Sequence, residues 1–187
     1  MNQETSLKNQ FLIAMPHLVD PMFSHTITFV CEHNANGAMG IVLNKPLDLS
    51  LGDIFQHIKV ENPQLQPSNN IVYSGGPVQT DRGFVIHNEQ AKWKASTEIT
   101  DDINMTTSID ILEAIAHNEG PSKYLVALGY AGWDAGQLDD EFAANAWLSI
   151  DASPHIIFDT PFEQRWQSAA SLIGVDINLM STSVGHA

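Results

Sequence analysis

The sequence predicts a single α+β domain built on a mixed, largely antiparallel, curled sheet with about four packed helices. Three observations predict it. The chain has 187 residues, 43% of them apolar and 16% charged, which suits one packed domain and not a disordered chain. Short strand-like runs fill the first half, and strands mix with helical patterns in the second. Many connections are too short for a crossover between parallel strands, so antiparallel pairing should dominate. No internal repeat or low-complexity linker divides the chain, so one domain is expected over residues 1–187, with residues 1–8 flexible.

The elements follow in order. Residues 11–15 form a short apolar run ended by Pro16 and read as a buried strand. Asp20-Pro21 marks a turn. Residues 26–32 begin with polar/apolar alternation and are rich in β-branched and aromatic residues. Asn34 to Gly37 has the composition of a hairpin loop, with Asn36-Gly37 suited to positive φ, and residues 38–43 return as its second strand, stopped by Pro46. Ser50 can cap a helix over 51–58, with Asp53 in its first turn. Residues 59–70, rich in Pro, Asn and Gln, read as a loop. Residues 71–73 and 83–87 read as strands, and 96–106 as one or two more. Thr107 or Ser108 caps a helix whose Ile109, Leu112, Ile115 and Ala116 share a face, closed by Gly120-Pro121.

Residues 124–128 read as a buried strand that Gly129 to Trp133 breaks. A helix over 134–144 then sets Leu138 and Phe142 four apart. Residues 147–150 and 156–158 read as short strands. Thr160, Pro161 and Glu163 have the pattern of an N-cap, a first-turn proline and a capping-box acid. The helix they open places Phe162, Trp166, Ala169, Ala170 and Ile173 on one face and ends at Gly174.

Charge excludes several function classes. The chain carries 8 Lys+Arg against 22 Asp+Glu, a formal net charge of −14. Residues 1–94 are near balance, whereas residues 95–187 hold 14 acids and two bases, Lys123 and Arg165. Phosphate backbones are bound by clustered cations that release counterions, and Lys92 with Lys94 is the densest basic pair here. Direct nucleic-acid binding is therefore not expected, nor is binding to an anionic membrane. The run Asp139-Asp140-Glu141 reads as the solvated side of a helix. No apolar run is long enough to cross a bilayer, and the polar start is no secretory signal. With one cysteine, Cys31, an intrachain disulfide is impossible, and a cytoplasmic protein is expected.

Three segments hold residue types that could do chemistry. Cys31-Glu32-His33-Asn34 gathers a thiol, a carboxylate, an imidazole and an amide at a strand end. Cys31 and His33, two apart, could share a face and act as nucleophile and base. The plainer reading is a buried apolar thiol beside loop polars that stitch the hairpin. Gly75-Gly76-Pro77, followed by Asp81-Arg82-Gly83, is a glycine-rich strand exit that could present N–H groups to an anion. It matches neither the P-loop nor the dinucleotide pattern, and a tight turn braced by Asp81 and Arg82 explains it as well. Gly129 to Leu138 holds Tyr130 and Trp133 among small residues. Such junctions line ligand crevices, or simply let a helix pack closely on a sheet. The eight histidines include no His-Glu-x-x-His, and a Cys-rich zinc site is impossible, so neither metal nor cofactor is expected. No Gly-x-Ser-x-Gly elbow is present.

Taken in order, these segments resemble the YqgE/AlgH family of bacterial proteins. The resemblance runs through Phe11 to Pro16, Asp20-Pro21 and Phe23, Cys31 to Asn34, Gly37 to Gly40, and Asn44-Lys45-Pro46. It continues through Gly75 to Val78, Asp81 to Phe84 and His87, then Gly129 to Trp133, Gly136 to Leu138 and Trp147, and finally Arg165-Trp166 before Gly174. Thr26 stands where serine is expected. The resemblance implies a mixed α/β fold with a bifurcated or barrel-like sheet in a bacterial cytoplasmic protein. It implies a relation to regulators of transcription, notably of alginate production, and supplies no catalytic residues to carry over. The charge makes any such regulation indirect. The leading expectation is a non-catalytic regulator that acts through an unknown protein partner or small ligand. The alternative is an enzyme or an anion- or nucleotide-binding protein, with a pocket formed by Cys31, His33, Gly75, Gly76, Asp81 and Arg82.

Overall fold

The hairpin is where the alternation places it. In the computed structural model, which describes residues 6–90 and 92–176, β2 (Ile27–Asn34) pairs antiparallel with β3 (Gly37–Val42). Gly37 takes the positive φ, and Ala35-Asn36 form the tip. A Cβ at Gly37 would lie 2.3 Å from the Trp133 carbonyl oxygen, so glycine is required there. β1 (Gln10–Ala14) lies between β2 and β10 (Trp147–Asp151). Of the segment expected to be flexible, residues 1–5 lie outside the described residues, while Leu7 packs against Val30 and Trp133 in a core cluster.

One long strand organises the sheet. β9 (Tyr124–Asp134) runs unbroken through the Gly129–Trp133 segment that the sequence predicts to end it. Gly129 adopts φ +80, which turns the chain without taking it out of the ladder. The first half of β9 lies between β5 (Ile71–Ser74), which is parallel to it, and β6 (Val78–His87), which is antiparallel. Its second half pairs with β3. The sheet therefore forks along β9. β8 (Ile103–Thr106) and β7 (Ser96–Thr100) extend it beyond β6, which settles the 96–106 segment as two strands. β4 (Pro46–Ser50) is an unpredicted strand paired with β5. Proline is tolerated at the first residue of such an edge strand.

Among the described residues six helices flank the sheet, two more than expected. α1 (Leu51–His57) starts as predicted, with a reciprocal capping box between Ser50 and Asp53. α2 (Leu65–Ser68) is a single turn inside the expected loop. α3 (Asp110–Ala116) buries Ile111, Leu112, Ile115 and Ala116, but leaves Ile109 exposed, against the predicted face. Neither Thr107 nor Ser108 caps it; the Ser108 hydroxyl instead accepts from the Ala95 N–H and donates to Asp110. α4 (Gln137–Ala143) begins late because β9 runs to Asp134, and it buries Leu138 while Phe142 stays largely exposed. The 156–158 run, read as a strand, is helix α5 (Pro154–Phe158), capped by Ser153 with proline at its first position. α6 (Phe162–Leu172) has no side-chain cap, because the Thr160 hydroxyl donates to the His155 carbonyl. Ala169 and Ala170 are fully buried, Phe162 and Trp166 half-buried, and Ile173 is 38% exposed. The unpredicted member of the buried face is Arg165.

Three apolar clusters hold these layers. The main core lies inside the curl, where Phe11, Phe29, Ile41, Phe84 and Ile86 meet Ile157 of α5 and Ala169 of α6. On the outer face, α4 covers Val30, Ala131 and Trp133, while α1 and α3 cover Val72, Val85 and Val126. No helix among the described residues is long and apolar enough to cross a membrane.

Candidate functional site

A bulge decides the fate of the Cys31–His33 pair. Val30 pairs with Gly40 and Glu32 with Met39, which leaves Cys31 as an extra residue. The insertion breaks the period of two, so residues two apart no longer share a face. Cys31 points into the main core, 3% exposed, with its Sγ 3.8 Å from the Met105 sulfur. His33 emerges on the α4 side. Its Nδ1 accepts from the Leu7 N–H at 2.8 Å and its Nε2 lies 3.2 Å from Asp139. The sheet therefore separates thiol and imidazole. Burial, aided by the Glu32 carboxylate and only partly opposed by Lys8, pushes the Cys31 thiol up to about 12. That is the opposite of an activated nucleophile. Glu32 forms an exposed pair with Lys8, and the Asn34 side chain accepts from the Asn36 N–H to brace the turn.

The glycine-rich exit is a backbone crossing. Gly75 donates to the Leu128 carbonyl and accepts from the Val42 N–H, bridging the fork of the sheet. A Cβ at Gly75 would lie 2.2 Å from the Gly129 oxygen, and one at Gly76, whose φ is +152, 2.1 Å from the Tyr130 carbonyl carbon. These glycines serve close approach, which leaves no room there for an anion. Asp81 and Arg82 face opposite sides, as neighbours on a strand do. The Arg82 guanidinium lies over the Phe84 ring at 5.2 Å, and Phe84 meets Tyr130 edge-on. Trp133 belongs to the outer face, packed against Phe23 and Trp147.

Two of the molecule's concavities lie beside the first half of β9. The first is an apolar groove of about 550 Å³ between α1, the start of α3 and the sheet, walled by Leu49, Ile54, Val85, Leu112 and Leu128. Asp81, Asp53 and His57 reach its lining, and so does Ile109, which is 54% exposed. Of the predicted site residues, Asp81 alone lines either concavity.

The second is a polar cavity of about 900 Å³ between α2, β5, the start of β9 and α5. Asn70, Ser122, Lys123, Tyr124 and Glu89 supply polar groups, and the Asn70 amide donates to the Tyr124 hydroxyl at 2.5 Å. Arg165 lines it, with Nε donating to the Thr160 carbonyl at 3.0 Å, Nη1 to that of Leu43, and the guanidinium 5.0 Å from the Tyr73 ring centroid. Lys123 lies at hydrogen-bonding distance from Asp159, whose carboxyl is held below its ordinary value mainly by that bond. Among the described residues, no group of three or more His, Cys, Asp or Glu is placed to hold a metal.

The segments that carry the sequence pattern and the sheet that joins them have relatives of known family. The model of the AlgH-like family, DUF179, matches residues 11–178. The chain belongs to the AlgH-like family. A UPF0301 protein of Saccharophagus degradans is 52% identical over 182 residues, covering 97% of this chain and 89% of its own. One from Thioalkalivibrio sulfidiphilus is 51% identical over the full length of both chains. The solution structure of the AlgH protein from Pseudomonas aeruginosa, 46% identical, superposes with a TM-score of 0.81 over 100% of this chain and 99% of that one. A Corynebacterium diphtheriae protein, 19% identical with a TM-score of 0.72 over 97% of this chain and 94% of its own, shares the fold. The AlgH-like fold is thus the curled, forked sheet described above.

Sequence reasoning missed both concavities. The groove is built from core-type apolar residues whose exposure depends on how far apart α1 and α3 stand. The polar cavity depends on Arg165, and arginine is rarely buried. A signal for it did exist: in an acid-rich half with two bases, both bases line one cavity.

Proposed function

We propose that this protein is a non-catalytic cytoplasmic regulator that holds an apolar segment of a protein partner in the groove between α1 and α3. The observation that supports this most is the groove itself, apolar walled and open, with Ile109 exposed at its edge. A soluble domain leaves such an apolar concavity open when something fills it. Asp53 and Asp81 in the lining and the net charge of −14 favour a partner segment whose apolar anchor is flanked by Lys or Arg. The same charge opposes direct contact with DNA, so the regulation runs through the partner. The enzyme alternative draws no support from geometry that sets Cys31 and His33 on opposite faces.

The test is complementation of a strain that lacks the chain, read by its transcript profile. Wild type and Cys31→Ala should restore the profile, and Ile109→Glu, folded and expressed at the wild-type level, should not. Restoration by Ile109→Glu, or loss of function in Cys31→Ala, would overturn the proposal. Release of a small apolar compound from the purified protein on denaturation would replace the peptide occupant with a ligand.

A further inference from the structure

We infer that the polar cavity between β5, the start of β9 and α5 is an anion site, in which Arg165 holds the carboxylate or phosphate head of a small polar ligand. Arg165 is 6% exposed and carries a permanent charge. Two of its N–H groups are used by the Thr160 and Leu43 carbonyls, and one face of the guanidinium lies over Tyr73. Among the described residues, no further hydrogen bond to the fork and no ion pair with Arg165 is found. A buried cation without a counter-charge is costly, and folds keep one where an anion completes it. A guanidinium fork fits a planar carboxylate or a phosphate through two parallel hydrogen bonds.

The charge distribution points to the same place. Residues 95–187 hold 14 acids and two bases, and those bases, Lys123 and Arg165, line one cavity. Lys123 sits half-exposed at the mouth, engaged with Asp159. The strand register then orients the ligand. Tyr73, under Arg165, pairs with Ala127, whereas Glu89 lies two residues past His87, which pairs with Tyr124. Those positions differ by at least three strand residues, roughly 10 Å. Glu89 would repel a second anionic group at the far end, so the ligand carries one anionic head and a neutral or cationic polar body. Asn70 and Ser122 offer that body amide and hydroxyl contacts. Only Val126 lines both this cavity and the groove, and neither Arg165 nor Lys123 reaches the groove, so the site stands whether or not a protein docks there.

The experiment is calorimetric titration of the purified full chain at constant ionic strength, with inorganic phosphate in one arm, acetate in the other and chloride as the reference. Saturable binding is expected in at least one arm, and the arm that responds identifies the head group. Arg165→Lys should weaken it by about tenfold, and Lys123→Gln, which leaves the buried arginine and the fold intact, by about threefold. Arg82→Gln, a cation outside the cavity, should leave it unchanged. No saturable heat in either arm would overturn the inference. So would binding that survives both Arg165→Lys and Lys123→Gln, or that falls equally in Arg82→Gln, since that would be nonspecific attraction. Should Arg165→Lys not fold, Lys123→Gln against Arg82→Gln carries the decision.

Discussion

The two halves of β9 differ in a way that separates structure from function. Around the second half, where it meets β3, lie the segments richest in reactive and glycine residues, and they are closed. Gly75, Gly76 and Gly129 let backbones cross at near contact, and Cys31 is sealed in the core. Around the first half lie apolar and amide residues with scattered charged ones that form no motif, and there the molecule opens into a groove and a cavity. Dense motifs mark the part of this fold with the least room for substitution. The open part leaves little trace in the sequence, because concavity arises from the spacing of elements.

That contrast can be broken at its tightest point. Gly76→Ala would drive a Cβ into the Tyr130 backbone at a φ that alanine rarely adopts. A loss of more than about 4 kcal/mol is expected, seen as failure to fold or a collapsed denaturation midpoint. A mild effect would show that the crossing has slack. A smaller loss is expected at Trp166, which is half-buried and whose indole N–H donates to the Ala14 carbonyl at 2.9 Å. Trp166→Ala should cost about 2 kcal/mol in chemical denaturation, less than for a fully buried tryptophan.

The first half of β9 should respond to acid, because His87 beside it is fully buried. Its Nε2 lies 2.8 Å from the Thr106 hydroxyl, and burial lowers its affinity for a proton more than Asn88 and Glu89 raise it. Below the ordinary imidazole value of 6.5 the unfolded chain takes up a proton that the native chain resists. Stability contributed by neutral His87 is thus complete above that value and falls as pH drops through it toward the lower native one. The slope from this one group cannot exceed about 1.4 kcal/mol per pH unit, and His87→Gln should flatten it. The smallest effect belongs to the groove edge. Ile109→Glu should change stability by no more than about 0.5 kcal/mol, measured by thermal melting. A larger loss would mean that Ile109 packs as part of the fold.

Local chemistry made much of the fold legible. The 26–43 hairpin, the Ser50 cap and the strand character of 96–106 follow from alternation, turn residues and capping. The failures have physical causes. Gly129 permits a face change within a continuous strand, where a glycine usually signals an end. A three-residue apolar run such as 156–158 fits a strand or a helix, and the Ser153-Pro154 start was the signal that favoured helix. The site was less legible still. The spacing of Cys31 and His33 suggested a shared face, and one bulge residue reversed it. Arg165 was visible only as an isolated positive charge.

The motif-rich end of the molecule is structural. The rate at which a thiol reagent modifies native Cys31 near pH 7 tests this most directly. A thiol held near 12 and 3% exposed should react far more slowly than a free cysteine, and only through opening of the fold. The rate should therefore rise with denaturant and ignore His33→Ala except as that change loosens the structure. Labelling faster than the free thiol, suppressed by His33→Ala in a protein of unchanged stability, would contradict the account and restore Cys31 as a reactive centre.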